Sequence, residues 1–290
     1  MKDFDYAAPT ALDEAVSLLA KHNGSAKILA GGTDIIVQLR EGLKDADVVI
    51  DVKKIPELTE LTYSAESGLS MGASVPCYQL YENPEIVKSY GALTDSARII
   101  GGWQIQSRAS VGGNLCNSSP AADSVPSLIA HDAVAHIVGP NGSREVAVTE
   151  FCTAPGKNVL EPGELLVKIT LPAPTPKSAS AYLRFIPRNE MDIAVAGVGS
   201  WVKLSDDCST IEDARIGVCA VSATPQYAEE ASAFLVGKPA TDESFTQAGE
   251  LAKKVAAPID DMRGTVEYRV HLTGVLTKRT LKIACDRATG

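Results

Sequence analysis

The sequence lacks the long apolar runs and the clustered cysteines that define several classes of protein. No apolar run approaches the roughly 18 residues of a transmembrane helix, so the sequence predicts no membrane span. The six cysteines are widely scattered, and none of them forms a C-x-x-C pair. This pattern argues against a zinc ribbon or an iron–sulfur cluster held by this chain alone. The four histidines lack ligand spacing, so the sequence predicts no metal site.

Positive charge is also scarce, because 36 acidic residues outnumber 27 basic ones and the net charge is −9. An acidic chain is a poor partner for nucleic acid or for an anionic membrane surface. The opening residues, from Met1 to Tyr6, lack the apolar segment of a secretory signal. We therefore expect a cytoplasmic protein that binds no nucleic acid.

Three common motifs for binding phosphate or activating a serine are absent: G-x-G-x-x-G, G-x-x-x-x-G-K-[ST] and G-x-S-x-G. The sequence contains instead two glycine pairs, in Ala30-Gly31-Gly32-Thr33-Asp34 and in Ser110-Val111-Gly112-Gly113-Asn114. Glycine pairs allow backbone N–H groups to approach a ligand, and successive N–H groups form a concave anion site. Together the two segments predict a clamp for a diphosphate, although each one alone is more typical of an ordinary turn.

Polar side chains in and near these segments support the prediction of a nucleotide-like ligand. Thr33, Ser110 and Asn114 offer hydrogen bonds to phosphate oxygens or to a ribose. Asp34 and Asp123 are acceptors suited to sugar hydroxyls, and a helix starting near Asp34 would add partial positive charge. Each aspartate taken alone is more typical of a helix cap or a surface charge.

Apolar periodicity and turn residues divide the chain into three units, at 1–57, 58–175 and 176–290. In the first unit the spacing of Leu12, Ala15, Val16 and Leu19 predicts a helix capped by Thr10. Strands are expected over 26–30 and 46–52, with a helix over 35–41 between them. The second unit is predicted to contain strands over 69–73 and 165–171, helices over 92–100 and 120–131, and a hairpin over 133–148. A proline-rich linker follows at 172–178. The third unit is predicted to pair strands over 192–204 and 211–222, followed by helices over 228–235, 245–256 and 266–284.

The two glycine segments, continued to Pro120 and Asp123, resemble the flavin-binding subunit of molybdenum hydroxylases. This is the group of xanthine dehydrogenase, carbon monoxide dehydrogenase and the aldehyde or N-heterocycle oxidoreductases. Further segments resemble the same family in the same order along the chain. They are Phe4-Asp5-Tyr6-Ala7-Ala8-Pro9-Thr10, Gly163-Glu164-Leu165-Leu166, Arg188 with Asp192-Ile193-Ala194, and Asp261-Met262-Arg263-Gly264 with Tyr268-Arg269.

The resemblance implies an α+β fold. It consists of a two-subdomain FAD-binding fold, of the vanillyl-alcohol oxidase and p-cresol methylhydroxylase type, and a C-terminal α+β domain with a sheet and a helical bundle. FAD is then the only cofactor expected on this chain, with molybdopterin on a large partner subunit and [2Fe–2S] clusters on a small one. The expected assembly is a dimer of heterotrimers. The chain would take electrons from the iron–sulfur subunit and pass them to an external acceptor, and no catalytic residue is predicted.

The resemblance also implies roles for single residues. Two segments would bind the FAD diphosphate, mainly through backbone N–H groups: Lys27, Ile28, Leu29, Ala30, Gly31, Gly32, Thr33 and Asp34, and Ser110, Val111, Gly112, Gly113 and Asn114. Asp123 would bind the ribityl or ribose region, and Leu166 or its neighbour Val167 would contact the adenine side.

The flavin end of the cofactor is assigned in the same way. Arg184 lies where the family often has a lysine near the flavin. Ile193 would pack on the isoalloxazine face, and Asp192 would lie near its reactive edge. Ile100 and Gly101 lie where some members place an aromatic residue on the flavin.

Two other functions stay open at the level of the sequence. One is a stand-alone FAD-dependent oxidase or dehydrogenase on the same fold, for which Cys116 is the nearby candidate for a covalent flavin link. The other is a scaffold that has lost its cofactor.

Overall fold

Strands and helices alternate at the N-terminus and are more segregated towards the C-terminus. The computed structural model describes residues 2–188 and 191–290. The helices in these residues are α1 (Leu12–His22), α2 (Ile35–Arg40), α3 (Pro56–Thr59), α4 (Cys77–Glu82), α5 (Pro84–Ser89), α6 (Gly91–Ala97), α7 (Val111–Asn117), α8 (Ser124–Ala130), α9 (Val148–Phe151), α10 (Glu229–Leu235), α11 (Asp242–Ala252) and α12 (Val266–Thr289). The strands are β1 (Asp5–Ala7), β2 (Ala26–Leu29), β3 (Val48–Asp51), β4 (Leu61–Ser64), β5 (Gly68–Gly72), β6 (Val134–Gly139), β7 (Gly142–Ala147), β8 (Cys152–Ala154), β9 (Lys157–Asn158), β10 (Leu165–Leu171), β11 (Ser178–Phe185), β12 (Ala196–Leu204), β13 (Ile211–Cys219) and β14 (Gln226–Tyr227).

The N-terminal unit is a small parallel sheet of order β1-β3-β2 with α1 packed against it. Helix α1 buries Ala15 and Leu19, as its periodicity predicts. The predicted cap at Thr10 is wrong, because Ala11 occupies the N-cap position without a side-chain bond. Thr10 instead donates its backbone N–H to Glu14 Oε2 at 3.2 Å, so the carboxylate of the first turn satisfies that donor. The first glycine segment follows β2 directly and leads into α2.

The middle unit is a five-stranded antiparallel sheet of order β4-β5-β10-β6-β7. Its strand β10 has two buried faces. Leu165 and Val167 pack in the core of the N-terminal unit, whereas Leu166, Ile169 and Leu171 pack in the core of the middle unit. The near-continuous apolar sequence of β10 is what a strand buried on both sides requires. This strand therefore holds the two N-terminal units together and places Leu166 between them.

The C-terminal sheet, of order β11-β12-β13-β14, is covered on both faces. Ser200 on one face hydrogen-bonds Thr280 of α12 at 2.7 Å. The next position, Gly199, lies on the opposite face, where a Cβ would meet the backbone of Pro126 in α8 at 2.8 Å. A helix of the middle unit thus lies directly on the C-terminal sheet. The predicted fold class, α+β, is confirmed.

Several elements differ in extent from their predictions. Strand β12 begins at Ala196 rather than 192, and β11 was not predicted at all. Residues 172–177 form neither helix nor strand, in agreement with the predicted linker. Met1 of the opening segment lies outside the described residues, as do Asn189 and Glu190 of the Arg-x-x-x-Asp-x-Ala segment. Among the described residues, no helix combines the length and apolar character needed to cross a membrane.

Candidate functional site

The two glycine segments meet at one cavity of about 220 Å³, which also reaches the N-terminal part of β10. From the first segment the cavity is lined by Lys27, Ile28, Ala30, Gly31, Gly32, Thr33 and Asp34. From the rest of the predicted set it is lined by Ile100, Ser110, Gly112, Gly113, Asn114 and Leu166. The structure therefore brings together residues that are far apart in the sequence.

Close packing explains the glycines of the first segment. A Cβ on Gly31 would collide with the carbonyl oxygen of Arg108 and lie 2.5 Å from its carbonyl carbon. Gly32 has a φ of +82°, a conformation that L side chains rarely adopt. Within residues 2–188 and 191–290, the N–H groups of Gly31, Gly32 and Thr33 have no hydrogen-bond partner. Three consecutive free donors at a cavity wall form a concave anion site.

The second glycine segment is the first turn of α7. Ser110 occupies the N-cap position, and its Oγ accepts the Gly113 N–H at 3.0 Å. The Gly112 N–H has no partner in the part of the chain that is described, whereas the bridge between Pro76 and Ser110 directs the Val111 N–H towards the Val75 carbonyl. A Cβ on Gly112 would lie 2.6 Å from the Cα of Ala73, so this glycine allows α7 to touch the end of β5. The Ser110 Oγ thus accepts a hydrogen bond in the cap, and its O–H is left as a donor beside the backbone N–H groups.

Two polar side chains that the sequence reading missed connect the glycine segments. Asn117 Nδ2 donates to Asp34 Oδ1 at 3.3 Å, and Gln38 Nε2 donates to Asn117 Oδ1 at 3.1 Å. Asn117 lies one turn after Asn114 in α7, so a helical pattern starting at Ser110 could have identified it. The Asn114 Oδ1 accepts from the Ser124 Oγ at 2.7 Å and so fixes the start of α8.

The cavity is lined by two lysines and two carboxylates, of which Glu164 is paired with Arg144 outside the lining. Lys27 and Lys44 both line it, together with Asp34. Burial lowers the pKa of Lys44, and the nearby Lys27 lowers it further. Burial raises the pKa of Asp34, although Lys44 and the Thr33 hydroxyl both act in the opposite direction. Two ammonium groups held together in a partly buried cleft favour an anionic ligand. Lys44 belongs to no motif, and nothing in the sequence indicated it.

The remaining wall of the cavity is mostly apolar, and its exceptions are Ser74, Cys116 and Glu164. Val52, Leu58, Leu165 and Leu166 form its apolar part. Ser74 belongs to the same wall and is only 4% exposed, and its Oγ, with less than 1 Å² of accessible surface, has no hydrogen-bond partner among the described residues. Sequence reasoning missed Ser74, because a single serine after a strand carries no signal.

Some predicted site residues lie outside the cavity wall. Leu29 and Val111 are buried in the protein core, at 8% and 2% exposure. Their side chains therefore hold the glycine segments in place, and only their backbone is left for a ligand. Gly101 lies beside the cavity residue Ile100, with a φ of +59°.

Asp123 and Arg184 form a buried ion pair between the middle unit and the C-terminal sheet. Arg184 Nη1 lies 2.6 Å from Asp123 Oδ2, and the hydroxyl of Tyr182 donates to Asp123 Oδ1 at 2.7 Å. Burial raises the pKa of the Asp123 carboxyl, whereas Arg184 and Tyr182 lower it. Neither charged residue lines the cavity. Both carboxylate oxygens are occupied by protein donors, so the pair fixes how the C-terminal sheet sits on α8.

Of the predicted flavin-end residues Asp192 and Ile193, only the isoleucine is exposed, because the Asp192 side chain is 13% exposed. Ile193 is 52% exposed. Asp192 Oδ1 accepts the Ile193 N–H at 2.8 Å and lies 3.5 Å from the Nε of Arg263. These hydrogen bonds and the flanking arginines lower the pKa of the Asp192 carboxyl. Ala194 and Val195, directly after them, are buried, so the exposed isoleucine projects from an anchored segment.

The position of Gly113 provides a test of which space a ligand occupies. A Cβ there would meet only the Ser110 Oγ, at 3.0 Å, so the protein itself leaves this space open. We expect Gly113→Ala to leave the stability of the cofactor-free chain within about 1 kcal/mol of wild type. Its affinity for a diphosphate ligand such as FAD should fall by roughly tenfold, because the methyl group stands in the clamp. Urea unfolding and ligand titration measure the two quantities, and an unchanged affinity would place the ligand elsewhere.

Family comparisons agree with this geometry over nearly the whole chain. The FAD binding domain in molybdopterin dehydrogenase matches residues 2–174, and the CO dehydrogenase flavoprotein C-terminal domain matches residues 181–284. The fold and the cavity thus define an FAD-binding flavoprotein, and the chain belongs to the family of FAD-binding subunits of molybdenum hydroxylases, which are oxidoreductases.

Individual relatives cover the chain from end to end. The xanthine dehydrogenase FAD-binding subunit of Escherichia coli O157:H7 is 32% identical over 292 residues, covering 99% of each chain. The nicotinate dehydrogenase FAD-subunit of Eubacterium barkeri is 33% identical, covering 100% of this chain and 99% of its own. A solved structure of carbon monoxide dehydrogenase from Hydrogenophaga pseudoflava superposes with a TM-score of 0.93 at 30% identity, covering 99% of this chain and 98% of that one.

The described residues fit FAD, the cofactor of this family. Free N–H groups at both glycine segments suit a diphosphate, and Lys27 and Lys44 offset its charge. The apolar wall around Leu166 suits an aromatic base. In the described residues no group of three or more histidine, cysteine, aspartate or glutamate side chains is arranged to hold a metal ion.

Proposed function

We propose that this chain is the electron-transfer subunit of a heteromeric molybdenum hydroxylase. It takes electrons from a [2Fe–2S] subunit and passes them to an external acceptor. The observation that carries this proposal is the convergence of both glycine segments on one cavity, in a chain that belongs to the family along its whole length. FAD supplies the redox chemistry, because it exchanges single electrons as well as electron pairs.

The names of the relatives support a heteromeric assembly. One relative is a carbon monoxide dehydrogenase medium chain, and others are named as subunits. By this similarity we infer two partners, a molybdopterin-binding large subunit and a [2Fe–2S] small subunit, in a dimer of heterotrimers. We place the assembly in the cytoplasm. The three units at 1–57, 58–175 and 176–290 would then be two FAD-binding subdomains and a C-terminal domain.

The chain's own residues would bind and orient the cofactor. The free N–H groups of Gly31, Gly32 and Thr33 on one side, and of Gly112 on the other, would hold the diphosphate. Leu166 would contact the adenine side, next to an apolar wall that excludes water.

At the flavin end, Ile193 would pack on the isoalloxazine with Asp192 near its edge, beside Ile100 and Gly101. Half of the Ile193 surface is free to make such a contact. Asp123 and Arg184 face each other rather than the cavity. We infer that they act on the ribityl and flavin region by fixing the C-terminal sheet on α8.

The experiment is purification of the tagged chain from its native host, followed by flavin and subunit analysis. We expect one non-covalent FAD per chain, released on denaturation, and co-purification with a molybdopterin chain and an iron–sulfur chain. Reducing the iron–sulfur subunit in the complex should bleach the flavin absorbance before any external acceptor is added.

Other results would point to the alternative functions. Flavin that stays attached after denaturation would favour a stand-alone oxidase with a covalent link. Burial raises the pKa of the Cys116 thiol to about 12, so this cysteine is a poor nucleophile for such a link. A chain that purifies in a complex but takes up no FAD would be a scaffold.

A further inference from the structure

Arg108 contacts the first glycine segment with both its backbone and its side chain. Its carbonyl group packs directly against Gly31, at the place that a Cβ on that glycine would occupy. Its Nε donates a hydrogen bond to the Gly31 carbonyl at 3.2 Å. Among the described residues this is the one hydrogen bond of the Arg108 side chain, and no other protein group donates to the Gly31 carbonyl. Arg108 therefore sets the direction in which that carbonyl points.

The direction of the Gly31 carbonyl also decides where the next N–H group points. In a planar trans peptide the C=O and N–H bonds point in opposite directions, and none of the described peptide bonds is cis. A Gly31 carbonyl that points to Arg108 thus leaves the Gly32 N–H pointing away from the arginine. Gly31 and Gly32 line the cavity, whereas Arg108 does not.

The peptide between Gly31 and Gly32 has little intrinsic preference for this orientation. Rotation of its plane changes the ψ angle of Gly31 and the φ angle of Gly32, and glycine tolerates a wide range of both. The reversed peptide would present a carbonyl oxygen to the cavity, where it would repel a phosphate instead of donating to it. A contact outside the peptide must therefore select the orientation, and the hydrogen bond from Arg108 is that contact.

We propose that Arg108 is a positioning residue for the FAD diphosphate, whose Nε–H holds the Gly31–Gly32 peptide with the Gly32 N–H towards the cavity. The inference rests on the proposed function, because it takes FAD as the ligand of this cavity. Arg108 acts through the peptide and not as a counter-ion of the phosphates. The apparent Kd of a ligand rises as the fraction of protein in the binding-competent conformation falls, so loss of this hydrogen bond weakens binding without removing a ligand contact.

Two substitutions of Arg108 separate the hydrogen bond from the charge. In Arg108→Gln the side-chain amide nitrogen takes the place of Nε, so the donor is kept and the charge is lost. Arg108→Met has the same chain length and loses both. At about 0.15 M ionic strength, where exposed charges are screened, the Kd for FAD of the glutamine variant should stay within roughly twofold of wild type. The Kd of the methionine variant should rise by roughly threefold to tenfold, as expected for one hydrogen bond.

ADP and a second arginine provide the controls. ADP shares the diphosphate with FAD, so titration of the cofactor-free chain with ADP should give the same order of variants. Arg98 Nη2 donates to the Tyr81 carbonyl at 3.2 Å, also at an exposed position, so Arg98→Met removes a similar bond and should leave the Kd for FAD unchanged.

The outcomes that contradict the inference are distinct from failure of the proposed function. A wild-type Kd in Arg108→Met would overturn the positioning role, and so would a Kd in Arg108→Gln as high as that of Arg108→Met. Thermal unfolding of the cofactor-free variants checks the fold, and both should unfold close to the wild-type temperature because water can replace a donor at an exposed carbonyl. Wild-type protein that binds neither FAD nor ADP would instead overturn the proposed function.

Discussion

Replacing Arg184 with methionine is expected to destabilise the folded chain by about 3–5 kcal/mol, the usual cost of leaving one partner of a buried ion pair uncompensated. Methionine keeps much of the apolar length of arginine, so the loss is electrostatic rather than steric. The substitution leaves the Asp123 carboxylate buried without its cationic partner. Asp123 is 7% exposed and keeps only the Tyr182 hydroxyl as a side-chain donor. Urea unfolding of the purified full-length chain measures the change.

Two further variants distinguish the cost of the unpaired Asp123 charge from an unspecific loss of stability. Adding Asp123→Asn to Arg184→Met removes the stranded charge while keeping an acceptor for Tyr182, so most of the lost stability should return. Lys2→Met breaks an ion pair with Asp45 whose side chains are 77% and 65% exposed, and should cost less than about 1 kcal/mol. If Arg184→Met costs no more than Lys2→Met, the pair does not hold the C-terminal sheet on α8.

The second large effect is expected at Gly31, where the N-terminal unit touches the middle unit. Gly31→Ala drives a methyl group into the Arg108 carbonyl, a backbone atom that cannot rotate away. We expect a stability loss of about 1–3 kcal/mol, typical of overpacking. FAD affinity should fall by at least roughly tenfold, because relief of the collision moves the two glycine segments apart. Thermal unfolding and FAD titration of the same preparation report both effects.

Gly24→Ala is the control for a loss of stability in the same unit that involves no collision. Gly24 belongs to the same unit and has a φ of +93°, but a Cβ there meets no atom within 4 Å. It should therefore lose stability through backbone strain while FAD affinity stays at the wild-type value. If Gly31→Ala binds FAD as tightly as wild type, moving the two glycine segments apart does not weaken FAD binding.

Local patterns in the sequence were sufficient for much of the fold. The spacing of Leu12, Ala15 and Leu19 predicted α1, and glycines at 139 and 142 marked the turn between β6 and β7. The predictions failed where tertiary contacts override local preference. Strand β11 starts at Ser178, directly after a proline-rich run, and its small residues showed no strand period. It forms because β12 pairs with it along its whole length.

The candidate site likewise contains residues that a local sequence pattern reveals and residues that only tertiary contacts reveal. Glycine segments are visible in a sequence because their chemistry is local, and both line the cavity. Lys44 and Ser74 could not be found, since each is an isolated residue that becomes significant only through its neighbours in space. The pairing of Asp123 with Arg184 spans 61 residues and depends on how the C-terminal sheet lies on α8. The resemblance pointed to both residues, but not to their contact with each other.

Helices α6 and α8 lie on the C-terminal sheet and attach it to the middle unit by non-covalent contacts. The Ser180 hydroxyl of β11 accepts the Ala92 N–H at 2.9 Å and bonds His131 Nε2 at 2.9 Å, so cohesion between the two parts lies in buried surface contacts. The connecting residues 172–177 form neither helix nor strand and add two hydrogen bonds, from the Tyr90 hydroxyl to the Pro172 carbonyl and from the Leu204 N–H to the Lys177 carbonyl. We call this segment the tether. A gene divided at this tether would yield two polypeptides that assemble by the same contacts, and gene fusion or fission at this point would leave the cofactor clamp intact.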